Sequence, residues 1–532
     1  MKADTLRAFT TLHTWTGLVT GLALFIAFYA GALTVFHGAL HSWEQPATRA
    51  EAVQGPDRVD ALRRAVVDAH PGAAEELTVV LPGFDGPRAA AFWRTEEGRH
   101  HASLGPDGAL TEGAPLASEL AEHINHIHFT LGLPQGIGMW LMGLVSAIYA
   151  LALVSGIVIH LPTLVENLFA LRPGRNIKRY WQDAHNVIGV LSLPFHVIFA
   201  FTGALLCVLT VFVAGLAYIA LDERVAERFQ SAFEIVEAPA PAGEALTAPD
   251  SATLMARARE AIPGMTPFLF QHHRSRDARG LTVVHGVIDG RLANRVAVAI
   301  RHDDLGIAET WAPGSRPATP IASSVITSLH FGNFGGPVVQ WLYFLLGLGG
   351  AFLFYSGNLL WIESRRRRRQ REQPRLHRVM AGVTVGVCVG CCLGVSGLFL
   401  ANKLLPEALA DRAAWEMRVY YLLFLGSVAW ALLRPPARGA VELLLATSAV
   451  TAAIPLVNWG VTGDHPWSAI HDGQWAVAGI DLVALAGAGA FALLARATHR
   501  RARDGNPNSV WHGTAGRPPA SSDASTAGAE SA

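Results

Sequence analysis

Eight apolar runs leave this chain few folds to choose from. They lie at roughly 15–38, 137–160, 187–219, 337–361, 379–402, 415–433, 440–460 and 475–496. Each is close to the about 20 residues that carry a helix across a bilayer. Lipid offers the backbone no hydrogen bonds, so such runs must pair their own N–H and C=O groups as helices. Charged residues make up only 16% of the chain, against about 25% in soluble domains. The expected fold is an all-α integral membrane helical bundle of about eight spans, embedded in the lipid bilayer. The basic residues cluster at span ends, and no nucleic-acid partner is expected.

Those basic residues orient the bundle. Lys2 and Arg7 precede the first run. Arg172, Arg175, Lys178 and Arg179 lie between the second and third, and Arg365 to Arg369 follow the fourth. Arg434 and Arg438 lie between the sixth and seventh, and Arg500, Arg501 and Arg503 follow the eighth. All fall on one side if both termini are cytoplasmic. The expected site is then the inner (cytoplasmic) membrane, with both long polar loops in the periplasm. The first run is longer than a signal-peptide core and no small-x-small cleavage site follows, so it reads as a retained span.

The expected division runs as follows. Residues 1–40 hold span 1, 41–125 a first extracytoplasmic domain, 126–221 spans 2 and 3, and 222–325 a second extracytoplasmic domain. Residues 326–364 hold span 4, 365–378 a basic cytoplasmic linker, 379–498 four additional spans, and 499–532 a disordered cytoplasmic tail. In each loop an amphipathic segment (57–70, 250–262) precedes alternating apolar stretches, which predicts two small α+β domains.

The first 365 or so residues are one unit written twice. LHTWTGLVTGLALFIAFYAGAL (12–33) sets over AHNVIGVLSLPFHVIFAFTGAL (184–205) without a gap. His13 falls on His185, Gly17 on Gly189 and Gly31 on Gly203. Further on, His128-Phe129 matches His330-Phe331. With one residue of slip Trp140 meets Trp341, and Ser155-Gly156 meets Ser356-Gly357. Four histidines therefore stand at duplicated positions, two at each expected membrane face.

Imidazoles from facing helices can hold a b-type haem axially, without covalent attachment. The flat ring needs small residues beside it. His13 and Gly31 are 18 residues apart, about five helical turns and roughly 27 Å, so they share a face. Gly17 lies near it, and His185, Gly189 and Gly203 repeat the arrangement. In the resulting scheme His13 and His185 ligate one haem iron, and His128 and His330 a second. Gly31 and Gly203 give clearance beside the second. The pattern alone leaves open zinc or copper, and helix-end hydrogen bonding. Lower-ranked ligands are His196, deeper on the face of His185 or between the haems, His160 at the end of span 2, and His37, which has His41 nearby and no counterpart in the second copy. HINHIH (123–128) could bind a metal or tune the second site. His272-His273 and His100-His101 read as solvated surface. The four cysteines, all in apolar runs, include no C-x-x-C-H haem-attachment signature.

LHTWTGL, the His-Phe entry to span 2, DAHNVIGVLSLPF, and LHFGNFGG before SGNLLWIESRRRR resemble the PepSY-associated transmembrane helix family. The resemblance covers about residues 5–370, and the loop domains look like PepSY modules. Family members tied to iron uptake include inner-membrane ferric-siderophore reductases with two b haems. The resemblance thus implies that His13, His128, His185 and His330 are haem ligands. It also implies an oxidoreductase that reduces Fe(III), as a ferric siderophore or another Fe(III) chelate, at the periplasmic face. Its electrons would come from a cytoplasmic reductant or membrane quinol, since no dinucleotide-binding fingerprint is visible. No side chain is assigned a bond-making catalytic role. The alternatives are a PepSY-domain membrane scaffold or peptidase regulator, and a transporter subunit, both without redox activity. Spans 5–8 lie outside the basic four-span unit and carry no assigned chemistry.

Overall fold

The computed structural model describes every residue except 1–2, 47–54, 84–87, 96–97, 106, 114–118, 162–176, 221–234, 368, 371, 407 and 513–532. Arg172 and Arg175, used above for orientation, lie outside the described residues. Seven described helices are long and apolar enough to span a membrane. They are α1 (Ala3–Thr34), α5 (Gln135–His160), α10 (Gly336–Ser364), α11 (Arg375–Leu404), α12 (Arg412–Leu433), α13 (Pro436–Thr462) and α15 (Trp475–Asp504). The chain is a multi-pass membrane protein.

The expected third span is a bent pair, α6 (Ile177–Leu191) and α7 (Leu193–Ala220), which meet at 70°. Pro194 lacks the N–H that a continuous helix would use, and its ring collides with the preceding turn. The His-Phe dipeptides also depart from expectation. They end short separate helices, α4 (Leu120–Thr130) and α9 (Ala318–Phe331), that precede the spans. Each short helix closes on a left-handed residue, Leu131 or Gly332, before the chain turns into α5 or α10.

The two loop domains expected separately are one layer. Helix α3 (Pro56–Ala69) and strands β1 (Glu76–Val80), β2 (Ala90–Thr95), β3 (Gly98–Leu104) and β4 (Leu110–Glu112) come from the first loop. Helix α8 (Ser251–Ala261) and strands β5 (Thr266–His273), β6 (Leu281–Val287), β7 (Arg295–Arg301) and β8 (Ile307–Trp311) come from the second. They form a single antiparallel sheet of order β4-β3-β2-β1-β5-β6-β7-β8. Strand β1 pairs β5 from Glu76↔His273 to Val80↔Leu269. A four-stranded half would leave its first strand as an open edge, and the other copy fills it. The buried carboxylate of Asp60 on α3 accepts hydrogen bonds from the N–H and hydroxyl of Ser251 at the start of α8. One apolar core, including Leu62, Leu77, Leu254 and Phe270, runs beneath both halves. The seam also buries His272 and His273, which corrects their expected surface placement.

Spans 5–8 pack around α11. Its glycines recur every fourth residue at Gly382, Gly386, Gly390 and Gly394. A Cβ at Gly386 would lie 2.7 Å from the Val428 backbone on α12, and one at Gly394 2.8 Å from Tyr420. Such small-residue spacing lets two helix backbones approach in lipid. The first part of the expected disordered tail, 499–512, is ordered. Helix α15 continues to Asp504, and residues 505–512 fold back. Trp511 is buried there, and Ser509 donates to the Glu363 carboxylate at 2.7 Å. Burial of an indole and one satisfied carboxylate hold what low complexity alone would leave free. Residues 513–532 lie outside the described ones.

Two predictions follow from the shared sheet. Phe270→Ala should cost about 3–5 kcal/mol and open both loops together. Hydrogen exchange should show the 59–104 and 254–300 segments losing protection as one unit; loss confined to one segment would refute a shared core. Burial holds His285 and His302 down at about 4. Below about pH 6.5 the unfolded chain binds protons that the folded sheet refuses, so stability falls as pH falls towards 4. Denaturant unfolding of the sheet at pH 5 against pH 7 should show a loss of about 1–2 kcal/mol for each histidine.

Candidate functional site: two buried imidazole pairs

The bundle brings the four duplicated histidines together in two pairs. His13 on α1 faces His185 on α6, with ring centres 6.3 Å apart and planes at 74°. His128 on α4 faces His330 on α9, with centres 6.0 Å apart and planes at 39°. The second pair lies on the side of the sheet, because α4 and α9 directly follow β4 and β8. The first pair lies at the opposite end of the four-span unit.

Each ring is held by its Nδ1. His13 reaches the Ala152 carbonyl at 2.8 Å, His128 the Ala27 carbonyl at 2.7 Å, and His185 the Leu353 carbonyl at 3.1 Å. His330 reaches the Thr202 hydroxyl at 2.9 Å, and that hydroxyl already donates to the Ile198 carbonyl. A carbonyl can only accept, so the proton of His13, His128 and His185 must sit on Nδ1. The engaged hydroxyl of Thr202 imposes the same on His330. Each Nε2 is thereby left as a lone pair. A carbonyl or hydroxyl on one nitrogen, with the other free, is how proteins prepare a histidine to bind metal.

A glycine on a neighbouring helix makes room for three of the four rings. A Cβ at Gly31 would lie 2.6 Å from His128, and one at Gly156 3.1 Å from His13. The corresponding distances are 3.3 Å from Gly357 to His185 and 3.9 Å from Gly203 to His330. Gly31 and Gly203 thus stand beside the predicted pair; Gly31 seats the His128 imidazole itself, whereas a Cβ at Gly203 would make only ordinary contact with Ser146 and His330. Gly156 and Gly357 escaped assignment, although their Ser-Gly dipeptides are matched between the copies. Gly17 faces open space, and a Cβ at Gly189 would find only Leu353, at 3.6 Å. Neither seats a histidine.

The pairs are well separated. Helix α1 carries His13 and, 14 residues on, the carbonyl of Ala27 that anchors His128, a rise of about 21 Å. The aromatic rings between them centre on Phe28. His196 lies 5.6 Å from Phe28 and Phe354 5.0 Å from it, while Phe199 touches His330 with ring centres 5.1 Å apart. His196 is buried and bonds Tyr149 through Nδ1 at 2.6 Å. It belongs between the pairs, since the bend at Ser192 removes it from the face of His185. His160 ends α5 one turn beyond Gly156. His37 stands apart on α2 (His37–Glu44) beside His41, with ring centres 4.5 Å apart.

Two internally braced imidazole pairs thus stand at opposite ends of a helical membrane bundle that carries a sheet at one end. Residues 10–364 match the PepSY-associated TM region, and the chain belongs to that family. An uncharacterized protein of Pseudomonas aeruginosa is 25% identical over 359 residues, covering 64% of this chain and 87% of that one. The family region ends where α10 ends, so α11–α13, α14 (Pro466–His471) and α15 lie beyond it.

The glycine seats give a selective test. Gly31→Leu should expel the His128 ring and leave the other pair seated, and Gly156→Leu should do the reverse to His13. Histidine labelling with diethyl pyrocarbonate, read by mass spectrometry, should show only the displaced ring gaining reactivity. Equal labelling of both pairs in either variant would refute separate seats.

Proposed function

We propose that the protein is a di-haem b electron-transfer protein of the inner membrane that reduces ferric iron at its periplasmic face. The carrying observation is the spacing of the pairs. A metal about 2 Å from each of two imidazole nitrogens puts the ring centres about 6 Å apart, and both pairs meet that distance. His13 and His185 would hold one haem, and His128 and His330 the other. The free Nε2 lone pairs, and Nδ1 partners that are neutral carbonyls or a hydroxyl, suit a neutral bis-imidazole site.

When bound, the haems supply one-electron transfer. The chain's own part is to fix each imidazole, exclude water and fill the gap between the sites. The Phe28, Phe199, Phe354 and His196 rings do the last. In the orientation proposed from the basic span ends, His13 and His185 face the cytoplasm, where a cytoplasmic reductant or membrane quinol would deliver electrons. The sheet then lies in the periplasm beside His128 and His330, where a ferric siderophore or another Fe(III) chelate would accept one electron and become Fe(II). That substrate assignment leans on the resemblance to iron-uptake reductases.

The purified protein should contain two b haems per chain, with reduced-minus-oxidised bands of the bis-histidine type. His13→Ala and His185→Ala should each remove the same haem, and His128→Ala and His330→Ala the other. Thr202→Val should leave both bound but weaken or shift the potential of the His330 site alone. After reduction, an Fe(III) chelate should reoxidise the native protein at least 10-fold faster than the His128→Ala variant. A colourless protein from haem-sufficient cells would overturn the haem reading. Haems that fail to reduce any Fe(III) chelate would overturn the substrate assignment alone.

A further inference from the structure

The duplication leaves one cluster unexplained. Helix α2 follows span 1 and places His37 and His41 four residues apart, on one helical face. Glu122 on α4 approaches both. Its Oε1 lies 3.1 Å from His37 Nε2 and 3.6 Å from His41 Nε2. The three ligand atoms lie within 4.8 Å of one another. Four ligands placed tetrahedrally at about 2.1 Å from a metal are about 3.4 Å apart. The observed spacings straddle that value.

The remaining valences are settled in the same sense. The Glu44 carboxylate meets His41 Nδ1 at 2.6 Å and accepts the Ala121 N–H at 3.0 Å. Its orienting role directs His41 Nε2 towards Glu122, as in carboxylate–histidine–metal arrangements. His41 is 4% exposed, and the Nε2 atoms of both His37 and His41 are buried with the Glu122 carboxylate beside them. Neither makes a well-aligned hydrogen bond to it, and a metal ion between the three would use all their lone pairs. Glu44 and Glu122 also bring two carboxylates to one place, which a divalent ion balances.

We propose that His37, His41 and Glu122 form a binding site for a divalent first-row transition-metal ion, with Glu44 positioning His41. Two imidazoles and one carboxylate suit zinc, iron(II) or cobalt(II) rather than calcium or magnesium, which take oxygen ligands. Three protein ligands leave a coordination position open. Glu122 is 43% exposed at its side chain, so that position faces the accessible side. The site lies six residues before His128 on α4, about 9 Å along the axis. It is separate from the paired histidines and does not depend on whether they hold haem.

The test uses the full-length protein in detergent, stripped with a chelator and titrated with Zn2+ by calorimetry. One Zn2+ per chain should bind. His41→Ala and Glu122→Gln should weaken it at least 100-fold, and Glu44→Gln about 10- to 100-fold. His126→Ala, on the same helix, should leave it unchanged. A second measurement needs no variant. Zn2+ should raise the melting temperature of the native protein, and Ca2+ and Mg2+ should not. No Zn2+ uptake, uptake unchanged in His41→Ala, or no Zn2+-specific rise in melting temperature would each overturn the site. Loss of haem in the paired-histidine variants, with Zn2+ binding retained, would show the two sites to be independent.

Discussion

The hydrogen bond from each paired imidazole to a neighbouring helix is the contact on which the arrangement depends. All four such bonds stay within one copy of the repeat. His13 bonds α5 and His128 bonds α1 in the first copy; His185 bonds α10 and His330 bonds α7 in the second. The ring pairs run between copies, as does the β1–β5 seam. Each copy therefore orients its own imidazoles, and the contact between copies brings like to like. That is the logic of a two-fold interface within one chain. It explains why two sites arise from one duplication: any residue that meets its own counterpart near the axis makes a pair.

Much of this was legible because the copies align without a gap through His13 and His185. The His-Phe dipeptides then supplied the other pair. Gly31 was legible by position but not by purpose. A sequence shows that a glycine is repeated, and not which ring needs its missing Cβ. Gly156 and Gly357 show the same limit, since their partners come from a different helix. Helical phase failed in the second copy. Pro194 sits inside an apolar run, and prolines are common enough in membrane helices that the run still read as one span. The bend at Ser192 separates His196 from the face of His185, and the phase estimate cannot survive it. The sheet was legible as strands and missed as a whole. Alternation identifies each strand, whereas the joining of β1 to β5 depends on which edge each half leaves open.

The copies are not equal, and their differences concern the added helices. In the first copy α1 is unbroken and leads into α2. There Trp43 is fully buried, and its indole donates to Asp481 on α15 at 2.9 Å, a carboxylate also bonded by Asn458 on α13 at 3.1 Å. Lys403 on α11 donates to the Trp43 carbonyl at 2.7 Å. Just before α4 the Glu119 N–H meets Glu416 on α12, which also pairs with Arg412. These polar contacts are buried, where each is worth most and an unmade one costs most. They fasten α2 and α4 to the helices beyond the family region.

That fastening bears on the cluster at His37, His41 and Glu122. A metal site needs its ligands held close to their working positions before the ion arrives. Helix α2 is only eight residues long, too short to be stable alone. Its register is set from one side by Glu44 on the Ala121 N–H and from the other by Trp43, Asp481 and Lys403. The α4 partner, Glu122, is set by neighbours bonded to Ala413 and Glu416, through His123 and Glu119. The added helices thus supply the rigidity that a two-helix cluster lacks. On this argument they are a scaffold for the sheet-side end of the first copy, and the asymmetry of the chain has a structural reason. The duplicated half makes the paired sites, and the unduplicated half steadies the one cluster that has no twin.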